Sequence, residues 1–201
     1  MAMARKYTLK QRARQQEETR ERILDAVVSL HQELGPAQTS ISAIAERAGV
    51  QRLTVYRHFP DEPAMFDACR DHWMGLHPPP DVEPMRELGD PRMRLRLILL
   101  EMYAYYERTE QMTANIIRDA ATSETVASAM QPFVQTVARI QAICAEGWDG
   151  PPERRALLLA TIGHALDFTT WQSLARHQNL EAEQIADLMV CLANCAAGGE
   201  C

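Results

Sequence analysis

The chain has 201 residues, of which 46% are hydrophobic and 24% charged, with a formal net charge of −6. That length and apolar content suffice to bury a core in one large or two small domains, which excludes a disordered chain. No apolar run approaches the roughly 20 residues of a membrane helix and no secretion signal heads the sequence, so a cytoplasmic protein without membrane contact is expected.

The charge is unevenly spread. Residues 1–60 hold ten Arg or Lys against six acids, leaving the remainder strongly acidic. Such asymmetry suggests that the N-terminal part meets a polyanion while the rest serves another purpose, although a solvated helical face of mixed charge explains Glu17 to Arg22 equally well. Five cysteines, Cys69, Cys144, Cys191, Cys195 and Cys201, form an odd set without CxxC spacing. Neither a disulfide framework nor a zinc ribbon is suggested, and reduced thiols are the default.

In chain order, residues 1–16 lack an apolar stripe and carry five basic groups, which reads as a mobile arm or a frayed helix start. Its Lys6, Lys10, Arg12 and Arg14 either follow phosphates or a minor groove, or belong to a segment with no defined contact. From Thr19 to Leu34, Ile23, Val27, Leu30 and Leu34 recur every three to four residues, predicting a helix ended by Gly35 and Pro36. Thr39 or Ser40 caps a second, short helix with Ile41, Ile44, Ala45 and Ala48 on one face, and Gly49 supplies a turn. Helical spacing then resumes with Val50, Val55 and Phe59 inward, leaving Gln51, Arg52, Thr54, Tyr56, Arg57 and His58 mostly outward. Two short helices joined by a Gly-containing turn make a helix-turn-helix.

The stretch TSISAIAERAGVQRLTVYRHFPDE, residues 39–62, resembles the DNA-binding signature of the TetR family of bacterial transcriptional regulators. The match is to a Thr/Ser start, Ile-Ala-x-x-Ala-Gly-Val, then Thr-hydrophobic-Tyr-x-His-Phe, and the resemblance covers about residues 17–75. Two positions depart from the pattern. Where relatives carry a phosphate-contacting Lys at the start of the fourth helix, this chain has Glu62 beside Asp61, acids that suit a helix macrodipole but repel phosphates. Where many relatives have Gly, this chain has Leu53, which either touches a thymine methyl or packs on the turn.

Beyond this head, residues 77–91 are Pro-rich and acidic and read as a linker or long loop, with Asp90 and Pro91 opening a helix. Helical spacing predicts a helix from Pro91 carrying Leu95, Ile98, Leu99, Met102 and Tyr106, a further stretch over Glu110 to Ala120, and another from about Ser123 to Ala145. After EGWDGPP, two final helices are expected over Pro152 to Arg176 and Leu180 to Ala196, the last started by Asn179. No strand alternation or repeat stands out, so the fold class is all-α. The expected domains are a basic arm over 1–16, the helix-turn-helix domain over 17–76, and a larger helical domain over 77–201.

The resemblance and the chemistry together assign roles. An α-helix fits the major groove, where Arg pairs chiefly with guanine and Gln with adenine, so Gln51, Arg52 and Thr54 are candidate base readers. Tyr56, His58, Thr39 and Ser40 are phosphate contacts as the resemblance implies, and Arg57 serves either purpose. A three-helix head offers too few base contacts for a specific site, and the family pairs two heads through its last two long helices. Here Leu157, Leu158, Ala160, Thr161, His164 and Ala165 with Ile185, Leu188, Met189 and Leu192 suit a homodimer bundle reading a palindromic double-stranded operator, or else an internal core.

The larger domain, if similar to the family, encloses a pocket for a small-molecule effector that releases DNA, making the protein a repressor. Candidate lining residues are Met102, Tyr103, Tyr106, Met112, Ile116, Met130, Phe133, His164, Phe168 and Trp171, although the same side chains serve as plain core. No cofactor is expected. No G-x-S-x-G, P-loop or Rossmann glycine pattern occurs, the His164 to Asp167 pair reads as a buried polar contact, and His72 and His77 lack a metal-binding register, so an enzyme is not expected. Two readings from other classes stay open at this point. One is a helical partner-binding protein that kept the fold but lost DNA affinity, and the other is a thiol-based redox regulator using Cys191 and Cys195.

Overall fold

The computed structural model describes residues 2–199, with side chains from residue 10 onward. Among the described residues nine α-helices follow one another with short 3-10 turns and one π-helical turn, Ser173–His177, between them, and no strand occurs. The all-α fold class expected from the spacing therefore holds. The chain divides into two compact units, Met1–Pro78 with Gln111–Met130 and Pro79–Glu110 with Gln131–Cys201.

In the first unit, α1 (Ala2–Glu33) begins well before the expected Thr19, so the segment read as an arm is helical from Ala2 onward. Lys10, Arg12 and Arg14 are exposed on it, while the side chain of Lys6 lies outside the described residues. Only from Ile23 does α1 acquire a buried stripe of Ile23, Val27 and Leu30. Helices α2 (Ile41–Ala48), α3 (Arg52–His58) and α4 (Glu62–Leu76) pack Ile44, Val55, Phe59 and Met65 into the same core.

The end of α1 is completed from far along the chain. Helix α5 (Pro91–Ala120) is one continuous helix where two stretches were expected. Its residues 111–120 belong to the first unit, where Met112 and Ile116 join the core. Asn115 Nδ2 donates to the carbonyls of His31 (3.1 Å) and Gln32 (2.8 Å), and Arg118 donates to that of Leu34 at 3.0 Å. A helix leaves its last carbonyls without partners, so these donors satisfy them. The buried Asp119 carboxylate accepts from the Ala37 N–H at 2.9 Å and pairs with Arg118 Nε at 2.7 Å. Gly35 is favoured here because its φ is 93°, a conformation that other residues rarely adopt, and a Cβ would also crowd Arg118 and Asp119.

His31 is buried against Phe66, with ring centroids 5.2 Å apart and Nδ1 3.6 Å from Cys69 Sγ. Burial lowers its pKa to about 4, partly opposed by the Asp119 carboxylate.

The second unit combines the first part of α5 with α6 (Glu124–Cys144, of which residues 131–144 lie here), α7 (Arg155–Ala165), α8 (Phe168–Gln172) and α9 (Ala182–Ala197). The single helix expected over Pro152 to Arg176 is broken at Leu166 and Asp167. Asp167 caps a new helix by accepting from the Thr169 and Thr170 N–H groups, so the chain restarts where apolar spacing alone reads through. It makes no buried contact with His164. Both are exposed, and His164 Nδ1 instead meets Thr170 Oγ1 at 3.1 Å. Nor does Asn179 start the last helix. It takes the left-handed conformation at φ 56°, and Glu181 forms a capping box with Gln184 instead.

The carbonyls freed at the break are met by Tyr103, donating to Ala165 at 2.9 Å, and Tyr106, donating to Leu166 at 2.6 Å. At the end of α6, Trp148, Arg155 and Arg94 donate to the carbonyls of Cys144, Ala145 and Glu146. Cys69 and Cys144 are buried thiols whose pKa burial pushes up to about 12. The expectation of reduced thiols fails at Cys195, which is disulfide-bonded.

Candidate nucleic-acid interface

The turn between α2 and α3 is built by one glycine. Ser40 caps α2, its hydroxyl oxygen accepting from the Ala43 N–H at 3.2 Å. At the other end Gly49 adopts φ 66°, which lets its own N–H reach the Glu46 carbonyl and the Val50 N–H reach that of Ala45. This pair of bonds is the Schellman closure, and a side chain at Gly49 would be strained by the positive φ.

Helix α3 restarts with Thr54 N–H donating to the Gln51 carbonyl at 2.8 Å. Val55 and Phe59, one turn apart, are buried and fix which face looks outward. Gln51, Arg52, Leu53, Tyr56 and Arg57 are exposed, while Thr54 and His58 are half-buried. The helix contains no acid. An exposed helical edge that offers Arg and Gln donors matches the chemistry of a major groove.

The flanks are less uniform than the sequence implied. Ser40 is exposed and keeps its hydroxyl proton to donate. Thr39 is half-buried and its hydroxyl donates to the Gly35 carbonyl at 2.9 Å. Asp61 caps α4 by accepting from the Ala64 N–H at 2.8 Å, with exposed Glu62 following it. Both acids therefore suit the helix start they occupy. Sequence reasoning missed Arg20, on α1, whose guanidinium lies 5.4 Å from the Phe59 ring centre. Nothing in its spacing marked that contact.

The effector candidates are divided between the two units. Met112 and Ile116 belong to the core of the first unit, to which Met130 is also assigned. In the second unit Met102, Tyr103, Tyr106, Phe168 and Trp171 are buried, with Tyr106 5.5 Å from Phe168 edge-on and 5.8 Å from Trp171. Phe133 stacks on Tyr105 at 6.0 Å. The hydroxyls of Tyr103 and Tyr106, expected as handles for a polar effector, already donate to backbone carbonyls. A cleft of about 390 Å³ does exist in the second unit, lined by Trp148, Arg154, Arg155 and Leu158 among others, and none of the candidates lines it. No group of His, Cys, Asp and Glu able to hold a metal occurs among the described residues, and no described helix is long and apolar enough to cross a membrane.

Residues 23–69 match the family model of the bacterial regulatory proteins, tetR family. Among solved structures, a TetR-like transcriptional regulator from Rhodococcus sp. RHA1 superposes with a TM-score of 0.65 at 22% identity, over 90% of this chain and 97% of that one. The transcriptional regulator FadR from Bacillus subtilis, in complex with stearoyl-CoA, gives 0.59 at 19% identity over 86% and 96%. NalD, the secondary repressor of the MexAB-OprM multidrug efflux pump in Pseudomonas aeruginosa, gives 0.59 at 20% over 90% and 95%. No curated protein matches the chain in sequence. At these identities the structural likenesses establish the fold, while the family model identifies the segment that contains α2 and α3.

Proposed function

From a chain that carries the TetR-family N-terminal domain on a TetR-like fold, a family of transcription regulators and not of enzymes, we propose a homodimeric repressor that a small-molecule effector releases from a palindromic operator. The observation that carries this reading is the exposed, acid-free outer edge of α3, held by the Gly49 turn and anchored by Val55 and Phe59. Gln51, Arg52, Leu53, Thr54 and Arg57 then face base edges. Ser40, Tyr56 and His58 position the head on phosphates, with Thr39 supporting the turn.

Pairing is supported by the outward faces of α7 and α9. These helices pack against each other, burying Leu158, Ala165, Ile185 and Met189, yet Leu157, Leu188 and Leu192 stay 53%, 41% and 42% exposed. Ala160 and His164 are exposed on α7 as well, and Thr161 is half-buried. Two helices that are apolar on both sides suit a four-helix bundle with a second copy. A Leu188→Glu, Leu192→Glu double variant should then sediment as a monomer and bind the operator far more weakly, because one head alone reads too few bases.

Release requires that the effector bind the released geometry more tightly than the DNA-bound one, so effector and operator oppose each other by the same factor in both directions. The experiment that tests the reading is selection of the purified protein against a random duplex library, followed by affinity across a salt series. A palindromic winner with a steep salt slope is expected. No enriched sequence and no salt slope would overturn the proposal and favour the partner-binding alternative.

A further inference from the structure

Leu53 is the most exposed of the large apolar side chains among the described residues, at 63%. Its place on α3 makes that exposure specific. At about 100° per residue, positions 53 and 57 fall on the side of the helix turned away from Val55 and Phe59, and both residues are exposed. Leu53 and Arg57 thus stand one turn apart at the middle of the outward edge, with exposed Arg52 and Tyr56 on one flank and half-buried Thr54 and His58 on the other. An isolated apolar residue on a surface is ordinary. One at the centre of a basic edge meant for a polyanion loses its water on binding and must face something apolar there.

In the major groove the apolar feature among the base edges is the C5-methyl group of thymine. Sugar and phosphate contacts fall to the flanks of the helix, since the middle of a groove-inserted edge meets bases. Building on the DNA-reading assignment above, we infer that Leu53 covers a thymine methyl in each half-site and so sets a sequence preference at that base pair. Residues one turn apart are separated by about 6 Å along the helix, against about 3.4 Å per base pair. The base bound by Arg57, a guanine by its donor geometry, therefore lies about two base pairs from that thymine.

The test takes the duplex enriched by the full-length protein and replaces each thymine in turn with deoxyuridine, which removes only the methyl group. Affinity is read by fluorescence anisotropy for the wild type and for Leu53→Ala, a variant at an exposed helical site whose melting temperature should match the wild type. A substitution at that thymine in one half-site should weaken the wild type about fourfold, the effect of exposing one methyl-sized group. Leu53→Ala should bind the unmodified duplex more weakly and be indifferent to that same substitution. A wild type that tolerates deoxyuridine everywhere, or a Leu53→Ala protein that stays equally sensitive, overturns the inference while leaving DNA binding intact. Failure to enrich any duplex instead removes the reading on which it rests.

Discussion

Asp119 makes two hydrogen bonds that hold the first unit together, and replacing it with alanine isolates their contribution. Its carboxylate is buried, accepting from the Ala37 N–H at 2.9 Å and from Arg118 Nε at 2.7 Å. A backbone N–H bonded to a buried carboxylate contributes about 1.5 to 3 kcal/mol. Arg118 is about half exposed, so its share of the pair is screened by solvent and adds little. Asp119→Ala should therefore cost about 2 to 3 kcal/mol and lower the thermal midpoint, followed by circular dichroism, by about 4 to 12 °C for a chain of this size. Asp119→Asn keeps an acceptor for Ala37 and should lose about half as much. The Arg118 hydrogen bond and, secondarily, the Ala37 N–H hold the Asp119 carboxyl below its usual range against its burial. A depressed carboxyl stabilises above the unfolded pKa of about 3.9, and that stabilisation vanishes as pH falls through the lower folded value. The gap between wild type and Asp119→Ala should accordingly be full at neutral pH and shrink in acid. A variant melting within about 1 °C of wild type at pH 7, or a gap that grows on acidification, would refute the reasoning.

Three other outcomes are expected. Because burial lowers the His31 pKa from 6.5 to about 4, the unfolded ring takes up its proton first, and stability should fall by about 3 kcal/mol as pH drops across that window. Urea melts at several pH values should show this slope flattened in His31→Phe, and an unchanged slope would place the acid sensitivity elsewhere. Glu62→Lys removes an exposed acid beside the proposed DNA-reading head and adds a phosphate donor, so the logarithmic salt slope of operator binding should steepen by about 0.9 per head. A slope equal to the wild type would mean that the start of α4 does not approach the backbone. Tyr106→Phe leaves the Leu166 carbonyl without its donor at a buried site and should cost about 1 to 3 kcal/mol by denaturant titration. A loss below about 0.5 kcal/mol would indicate that another donor replaces the hydroxyl.

The helix-turn-helix was legible because its information is local. Gly49 marks a turn by a conformation that other residues avoid, Ser40 caps by its own side chain, and Val55 and Phe59 announce their inward face by a spacing of four. The matched family segment, residues 23–69, falls on that same stretch. Elsewhere the same logic misled. Apolar spacing alone read Pro152 to Arg176 as one helix, because the break at Leu166 depends on Asp167 capping the next helix and on Tyr103 and Tyr106, about 60 residues away, accommodating the freed carbonyls. Location in space was likewise beyond the pattern, since Met112 and Trp171 look alike in a helical stripe yet sit in different units.

The chain by itself thus determined the all-α class, the helix-turn-helix and its outward residues, since each follows from periodicity, caps and one glycine within a few positions of one another. Tertiary structure decided what lies between distant residues. It made Asn115, Arg118 and Asp119 the cap of a helix ending some 80 positions earlier, drew the buried His31 toward neutrality, and brought the hydroxyls of Tyr103 and Tyr106 to the carbonyls of a broken helix. Hydrogen bonds and burial act through space, and a pattern of side chains along one helix records which face is apolar without recording what that face will meet.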